Sequence, residues 1–155
     1  MKYKLSVDVC LATFNGAQYI GEQITSILSQ LPANGKILVS DDGSSDDTVG
    51  IIKSFQDERI VILDGPQKGI VANFEFLLQN TTADLIFLCD QDDIWLPNRI
   101  SSVFEYIDGY DMVVCNAEIR DADMKHIYMT VFEWRKSRSG LGKNLVMNAF
   151  VGCCM

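Results

Sequence analysis

Three carboxylates crowd into four residues where an apolar run ends: Leu85-Ile86-Phe87-Leu88-Cys89 leads straight into Asp90-Gln91-Asp92-Asp93. On an extended backbone, side chains two residues apart share a face, so Asp90 and Asp92 are expected to project together and Asp93 oppositely. Two neighbouring carboxylates suit a hard divalent cation such as Mg2+ or Mn2+, which completes its shell with water and phosphate oxygens. Such an ion stabilises a departing diphosphate as charge develops on it. A helix cap or a solvated turn would account equally well for an isolated Asp-x-Asp.

A second acidic cluster, Val39-Ser40-Asp41-Asp42-Gly43-Ser44-Ser45-Asp46, also follows an apolar run. A carboxylate there can accept a hydrogen bond from the imide N–H of uracil or thymine. An Asx turn followed by a helix N-cap explains Ser45 or Asp46 and accommodates Asp41, but it does not require the doubled Asp. A third cluster, Ala12-Thr13-Phe14-Asn15-Gly16, offers backbone groups and small polar side chains after the first apolar run.

These clusters need a scaffold that brings them together, and the hydropathy pattern supplies one. Val7 to Ala12 reads as a buried strand, and Ala17 to Gln30 as a helix with apolar residues at helical spacing, closed by Pro32. Lys36 to Ser40 is a second strand, a helix runs from a cap at Ser45 or Asp46 through Phe55, and Arg59 to Leu63 is a third strand. A helix over Val71 to Gln79, a strand over Leu85 to Cys89 and a helix from Pro97 to Tyr106 follow, then a fifth strand near Asp111 to Cys115. Arg135 to Lys143 reads as a basic, Ser- and Gly-rich mobile loop, and Asn148 to Met155 as the start of a further apolar element.

Strict strand–helix alternation implies an α/β fold with a mainly parallel sheet and helices on both faces. Ligands then bind beyond the carboxyl ends of the strands, where all three polar clusters fall along one crevice.

The chain of 155 residues is expected to form one domain over residues 1–155, since 48% hydrophobic and 22% charged residues are the proportions of a folded globular protein. A net charge of −8, with the basic residues scattered, excludes nucleic acid as a partner. A nucleotide diphosphate remains accessible if a bound cation neutralises it locally. Cys10, Cys89, Cys115, Cys153 and Cys154 show neither Cys-x-x-Cys nor metal-finger spacing and read as reduced, mostly core thiols. No signal-like segment and no window approaching the ~18 apolar residues of a membrane span is present, which points to the cytosol or the inner face of a membrane.

In order and spacing, the residues from about Val7 to Arg99 resemble the N-terminal part of family 2 glycosyltransferases of the GT-A type. The match consists of the turn Ala12-Thr13-Phe14-Asn15, a helix ending Ser26-Ile27-Leu28-Ser29-Gln30, and Asp41-Asp42-Gly43-Ser44. It continues through Gly69 and Asn73 to a D-x-D-D-x-x-x-P signature at Asp90, Asp92, Asp93 and Pro97. The form Asp-Gln-Asp-Asp-Ile-Trp-Leu-Pro, with Asn148 to Met155, looks most like bacterial rhamnosyltransferase-type members.

The resemblance implies a GT-A, Rossmann-like nucleotide-sugar domain cut short at its C-terminus. By that resemblance Thr13 and Asn15 line the nucleotide pocket, Asp42 contacts the base with Asp41 beside it, and Gly69, Asn73 and Asp90 complete the nucleotide-binding set. Asp92, helped by Asp90, would hold Mg2+ or Mn2+. The family inverts the anomeric centre in one displacement, with a carboxylate base from a later motif, here expected beyond residue 155. Glu118, Asp121 and Asp123 lie too early for that motif and read as hairpin or loop decoration, and His126 as a surface residue.

The implied donor is a dTDP- or UDP-linked sugar, with rhamnose from dTDP the first choice. The implied acceptor is a saccharide or lipid-linked precursor in bacterial surface polysaccharide synthesis. An apolar sheet edge left uncovered by missing elements would favour self-association. The reading from a different class is a non-catalytic nucleotide-sugar-binding fragment, or a degenerate member lacking the base.

Other phosphate chemistries fit worse. Ser40 stands where a haloacid dehalogenase-type phosphatase needs its nucleophilic Asp, and a receiver domain would need a Lys after its fifth strand, where Asn116-Ala117-Glu118 stands instead. Neither G-x-G-x-x-G after the first strand nor G-x-x-x-x-G-K-[ST] occurs.

Overall fold

The computed structural model describes residues 5–121 and 125–135. Strand and helix alternate four times: β1 (Val7–Thr13), α1 (Ile20–Leu28), β2 (Lys36–Asp41), α2 (Thr48–Ser54), β3 (Ile60–Asp64), α3 (Ile70–Gln79), β4 (Leu85–Asp90) and α4 (Arg99–Tyr106). The four strands form one parallel sheet in the order β3-β2-β1-β4. The chain therefore builds outward from β1 to β3 and then returns to the other side of β1. That reversal opens a crevice beyond the carboxyl ends of β1 and β4, the place where such sheets bind ligands.

Strand alternation divides the core into two layers. Val7, Val9 and Leu11 face Ile20, Ile24 and Ile27 of α1, Ile52 of α2, and Ile100, Val103 and Phe104 of α4. Cys10, Ala12 and Leu38 face the other way, onto Leu77 of α3. Each large apolar side chain buried in this way contributes roughly 1.5–3 kcal/mol. Helices thus cover both faces, as the alternation predicts, with α3 the principal cover of one of them. Cys10 and Cys89 are buried free thiols and Cys115 is half-buried, in keeping with reduced cysteines.

The register puts the chemistry in line. Ala12 stands opposite Asp90, Thr13 opposite Asp41, and Asp41 opposite Asp64. The helix expected from Ala17 begins only at Ile20, because the Gly16 carbonyl accepts both Tyr19 N–H and Ile20 N–H at 3.0 Å and closes residues 17–19 into a turn. Tyr19 occupies the N-cap position.

The fifth parallel strand expected near Asp111 to Cys115 does not form. Residues 112–117 carry no strand ladder, although Val113 and Cys115 pack against the core. The apolar run there reflects burial of alternate side chains, not strand pairing, and Met112 stays half exposed. The chain continues instead as an antiparallel hairpin, β5 (Glu118–Arg120) with β6 (His126–Thr130), followed by α5 (Val131–Arg135). Glu118 pairs with Arg120 at 2.7 Å and Asp121 accepts the Lys125 backbone N–H, so these acids do decorate a hairpin, where His126 is exposed. Residues 136–143 of the expected basic loop and the apolar segment 148–155 lie outside the described residues. No helix among the described residues is long and apolar enough to cross a membrane.

Candidate functional site

Three strand ends meet around one cavity of about 470 Å³, within the range of small-molecule sites. Its walls are Ala12, Thr13 and Phe14 after β1, Asp42 after β2, Gln67, Gly69, Ile70 and Asn73 around the start of α3, and Asp90, Gln91 and Asp92 after β4. Of the residues singled out in the sequence, Thr13, Asp42, Gly69, Asn73, Asp90 and Asp92 therefore come together, whereas Asn15 and Asp41 are not part of the lining.

The doubled Asp splits into two jobs. Asp41 turns into its own loop: its carboxylate accepts the Thr13 hydroxyl at 3.0 Å, the Ser44 hydroxyl, and the backbone N–H groups of Gly43 at 3.2 Å and Ser44 at 2.8 Å. That is the Asx-turn arrangement, and it consumes the side chain. Asp42 instead reaches across to the loop before α3, accepting Gln67 N–H at 2.6 Å and Gly69 N–H at 2.8 Å. One lone pair on each of its oxygens is left for a ligand facing the cavity.

Asn15 holds two loops together. Its backbone is left-handed, with φ of 50°; its side-chain oxygen accepts Ser45 N–H at 2.8 Å and its own N–H goes to the Ser44 hydroxyl at 2.8 Å. The cap expected at Ser45 or Asp46 falls instead on Asp47, which makes no side-chain capping bond, while Asp46, the residue before it, accepts Thr48 N–H at 3.1 Å. The same carboxylate accepts Ala17 N–H at 3.1 Å, and these bonds, the Thr48 hydroxyl's foremost, hold Asp46 below the ordinary carboxylate range.

At the far wall β4 ends at Asp90, and Gln91-Asp92 form a turn, so the extended-backbone alternation expected for these acids does not apply. Asp90 and Asp92 still border the same cavity because the turn, not the pleat, brings Asp92 round. None of the three acids caps α4, whose N-cap is Asn98. Burial, and then the charges of Asp93 and Asp92, push the Asp90 carboxyl above the usual carboxylate range.

The donor set suits a divalent cation that keeps most of its shell for water and phosphate. Two carboxylates border the cavity at this end, and among the described residues no group of three or more His, Cys, Asp or Glu could enclose a metal. Mg2+ or Mn2+, which takes one or two carboxylates and completes its shell with water and phosphate oxygens, fits this donor set.

Asn73 is buried, donates from Nδ2 to the Ser40 carbonyl at 2.9 Å, and so ties α3 to the end of β2. Gly69 precedes α3 with φ of 86° and ψ of 174°, a conformation essentially confined to glycine. The sequence reading assigned no role to Phe14, Gln67, Ile70 or Gln91. Phe14 could have been found as a large aromatic in an otherwise polar strand-end turn; the residue is 55% exposed and lines the cavity. Gln91 carries no signal in the sequence beyond its place between two carboxylates.

The polar stripe of α1 braces this end of the site. Gln23, fully buried, donates to the Asp90 carbonyl at 3.3 Å and to Cys89 Sγ. One turn on, Ser26 accepts Trp95 N–H at 3.0 Å, and beyond it Gln30 donates to the Leu96 carbonyl at 3.2 Å and accepts Ile100 N–H at 3.2 Å.

Known proteins resemble this chain in sequence and in fold. Over 103 residues the chain is 36% identical to the dTDP-rhamnosyl transferase RfbG of Shigella flexneri, covering 61% of this chain and 36% of that protein. Among solved structures it superposes on S. aureus TarS 1-349 with a TM-score of 0.68 at 18% identity, over 83% of this chain and 40% of that one. It also superposes on the mannosyltransferase PcManGT from Pyrobaculum calidifontis, solved with GDP-Man and Mn2+, with a TM-score of 0.63 at 19% identity, over 77% and 36%. These likenesses show a shared GT-A fold. The chain spans less than half the length of the curated relatives it matches. Residues 8–155 match the family described as glycosyl transferase family 2, and with the match running over nearly its whole length, the chain belongs to that family.

Proposed function

We propose that residues 1–155 form a single nucleotide-sugar-binding domain that holds a dTDP- or UDP-linked sugar together with Mg2+ or Mn2+. The observation that carries this reading is one cavity with a carboxylate for a base at one end, Asp42, and a carboxylate pair for a cation at the other, Asp90 and Asp92. The exposed Phe14 ring offers a stacking surface for the base, an interaction worth about 1–3 kcal/mol. Asp42, already steadied by Gln67 and Gly69, accepts the pyrimidine imide N–H through a remaining lone pair. Thr13 and Asn73 complete the wall, whereas Asn15 and Asp41 act through the loops they hold.

Asp90 and Asp92 hold the cation, which when bound neutralises the diphosphate and eases its departure. The carboxylates that line the cavity are thereby occupied, and the base that deprotonates the acceptor hydroxyl is proposed to lie beyond residue 155. The reaction served is an inverting transfer to a saccharide or lipid-linked acceptor in bacterial surface polysaccharide synthesis. Rhamnose is proposed as the sugar, on the strength of the rhamnosyltransferase relative. The work is placed in the cytosol, at the inner face of the membrane where a lipid-linked acceptor would be presented.

Calorimetric titration of UDP and dTDP, with Mn2+ and with chelator, tests the reading when repeated on Asp92→Ala. Binding that requires Mn2+ and disappears in the variant supports it. No binding of either nucleotide by the folded wild-type chain overturns it.

A further inference from the structure

The side chain between Asp90 and Asp92 makes its bonds on the opposite strand end, at Phe14. Gln91 turns back across the cavity wall and pairs with the peptide group of Phe14: Oε1 accepts Phe14 N–H at 2.9 Å and Nε2 donates to the Phe14 carbonyl at 3.2 Å. The two partners are 77 residues apart in sequence. The β1–β4 ladder ends at Ala12 opposite Asp90, after which the two chains separate. The carboxamide adds one more rung to that ladder, made by a side chain instead of a backbone.

An amide side chain suits this, because the rung needs a donor and an acceptor side by side. Carboxylates lack the donor, and Lys or Arg lacks the acceptor. The neighbouring chain is shaped to admit it. A Cβ on Gly16 would lie 2.3 Å from Gln91 Oε1 and 2.7 Å from Cδ, so any side chain at position 16 would drive the amide from its seat.

We infer that Gln91 is a positioning residue that couples the two ends of the site, holding Phe14 against the nucleotide base at a fixed offset from the cation-binding carboxylates on either side of it. This rests on the nucleotide reading given above. Phe14 itself stands at the end of a turn tied to the β2–α2 loop through Asn15, Gly16 and Ala17. Gln91 is the tie that joins that turn to β4. With the amide in place, a bound nucleoside diphosphate spans two walls whose separation is set before it arrives, and less ordering is left to be done on binding.

The test asks whether Gln91 acts through Phe14. UDP affinity at saturating Mn2+ is measured for the wild type, Gln91→Met, Phe14→Ala and the double variant, each with a melting curve. Gln91→Met keeps the length of the side chain and removes both hydrogen bonds. Each single variant is expected to lose about tenfold in affinity. The double variant is expected to bind no more weakly than Phe14→Ala alone. Gly16→Ala, which leaves Gln91 intact but displaces its amide, should reproduce Gln91→Met and serves as the same test should Gln91→Met fold poorly.

Gln91→Met and Gly16→Ala both binding UDP like the wild type would overturn the inference and leave the nucleotide site standing. So would losses that multiply in the Phe14→Ala background, because Gln91 would then act on something other than Phe14. Absence of UDP and dTDP binding in the wild type is the distinct result that removes the nucleotide reading and this inference together.

Discussion

The hydroxyl of Ser26, on the buried side of α1, accepts the backbone N–H of Trp95 at 3.0 Å, joining the first helix of the fold to the loop that follows Asp90 and Asp92. Trp95 is 4% exposed; its ring packs against Phe87 with centroids 5.4 Å apart and carries the Arg99 guanidinium 4.4 Å from its own centroid. An N–H in that setting has little access to water. Ser26→Ala should therefore cost about 1–3 kcal/mol, the penalty of a buried donor left unpaired. Urea denaturation measures it, and a change within experimental error would show that the loop does not depend on this brace.

That brace also shows what the sequence conveyed and what it did not. The alternating strands and helices were legible because apolar periodicity is set by burial, which every residue of an element reports. The convergence of Thr13, Asp42 and Asp90 was legible because a parallel sheet collects its strand ends on one edge. The polar contacts of α1 were not: Gln23 and Ser26 in a helix read as tolerated polar residues, and only the tertiary fold reveals that they face a loop some 70 residues on. The separate fates of Asp41 and Asp42 were likewise hidden, since adjacent identical side chains differ only in which way the turn points them. The resemblance implies a pocket role for Asn15, and nothing in the sequence reveals that its left-handed backbone goes with a side-chain oxygen bonded to Ser45.

The division between the two acids gives a contrast that can be measured. Asp41→Ala removes the acceptor for the backbone N–H groups of Gly43 and Ser44 and for the Thr13 hydroxyl, and should lower stability by about 2–3 kcal/mol. Asp42→Ala frees N–H groups that water can reach, and should cost under about 1 kcal/mol while lowering UDP or dTDP affinity more than tenfold. Denaturation and calorimetry on the two variants should rank them in opposite orders. The same order in both assays would mean that Asp41 and Asp42 share one role.

Gly69 isolates the cost of backbone geometry. Nothing stands within 4 Å of where its Cβ would be, so Gly69→Ala meets no steric obstacle beyond its own φ of 86°. The strained conformation should cost about 1–3 kcal/mol or be relieved by a shift of the loop. A shift pulls the Gly69 N–H from Asp42 and weakens nucleotide binding; retained geometry lowers the melting temperature instead. A variant unchanged in both respects would show that this backbone conformation is not required in solution.

Asp90 carries the electrostatic cost of the site, and its sign can be worked out. Its carboxyl is raised in the folded chain by burial first, and then by Asp93 and Asp92. A raised folded-state value means that the group favours the folded state below the unfolded carboxyl range, near pH 4, and that this contribution is lost as pH rises through the folded value. At neutral pH, with chelator present, the ionised Asp90 therefore works against folding. Asp90→Asn should melt at a higher temperature than the wild type under those conditions, and the gap should narrow as pH is lowered toward 4. Saturating Mn2+ with UDP should reverse the order, because binding raises the stability of the wild type and the variant has lost one of the two carboxylates proposed to hold the cation. Melting curves at pH 7 and pH 4, with chelator and with Mn2+ and UDP, separate these cases. A variant less stable than the wild type with chelator at pH 7 would mean that the Asp90 charge is balanced within the fold and is not held in reserve for a cation.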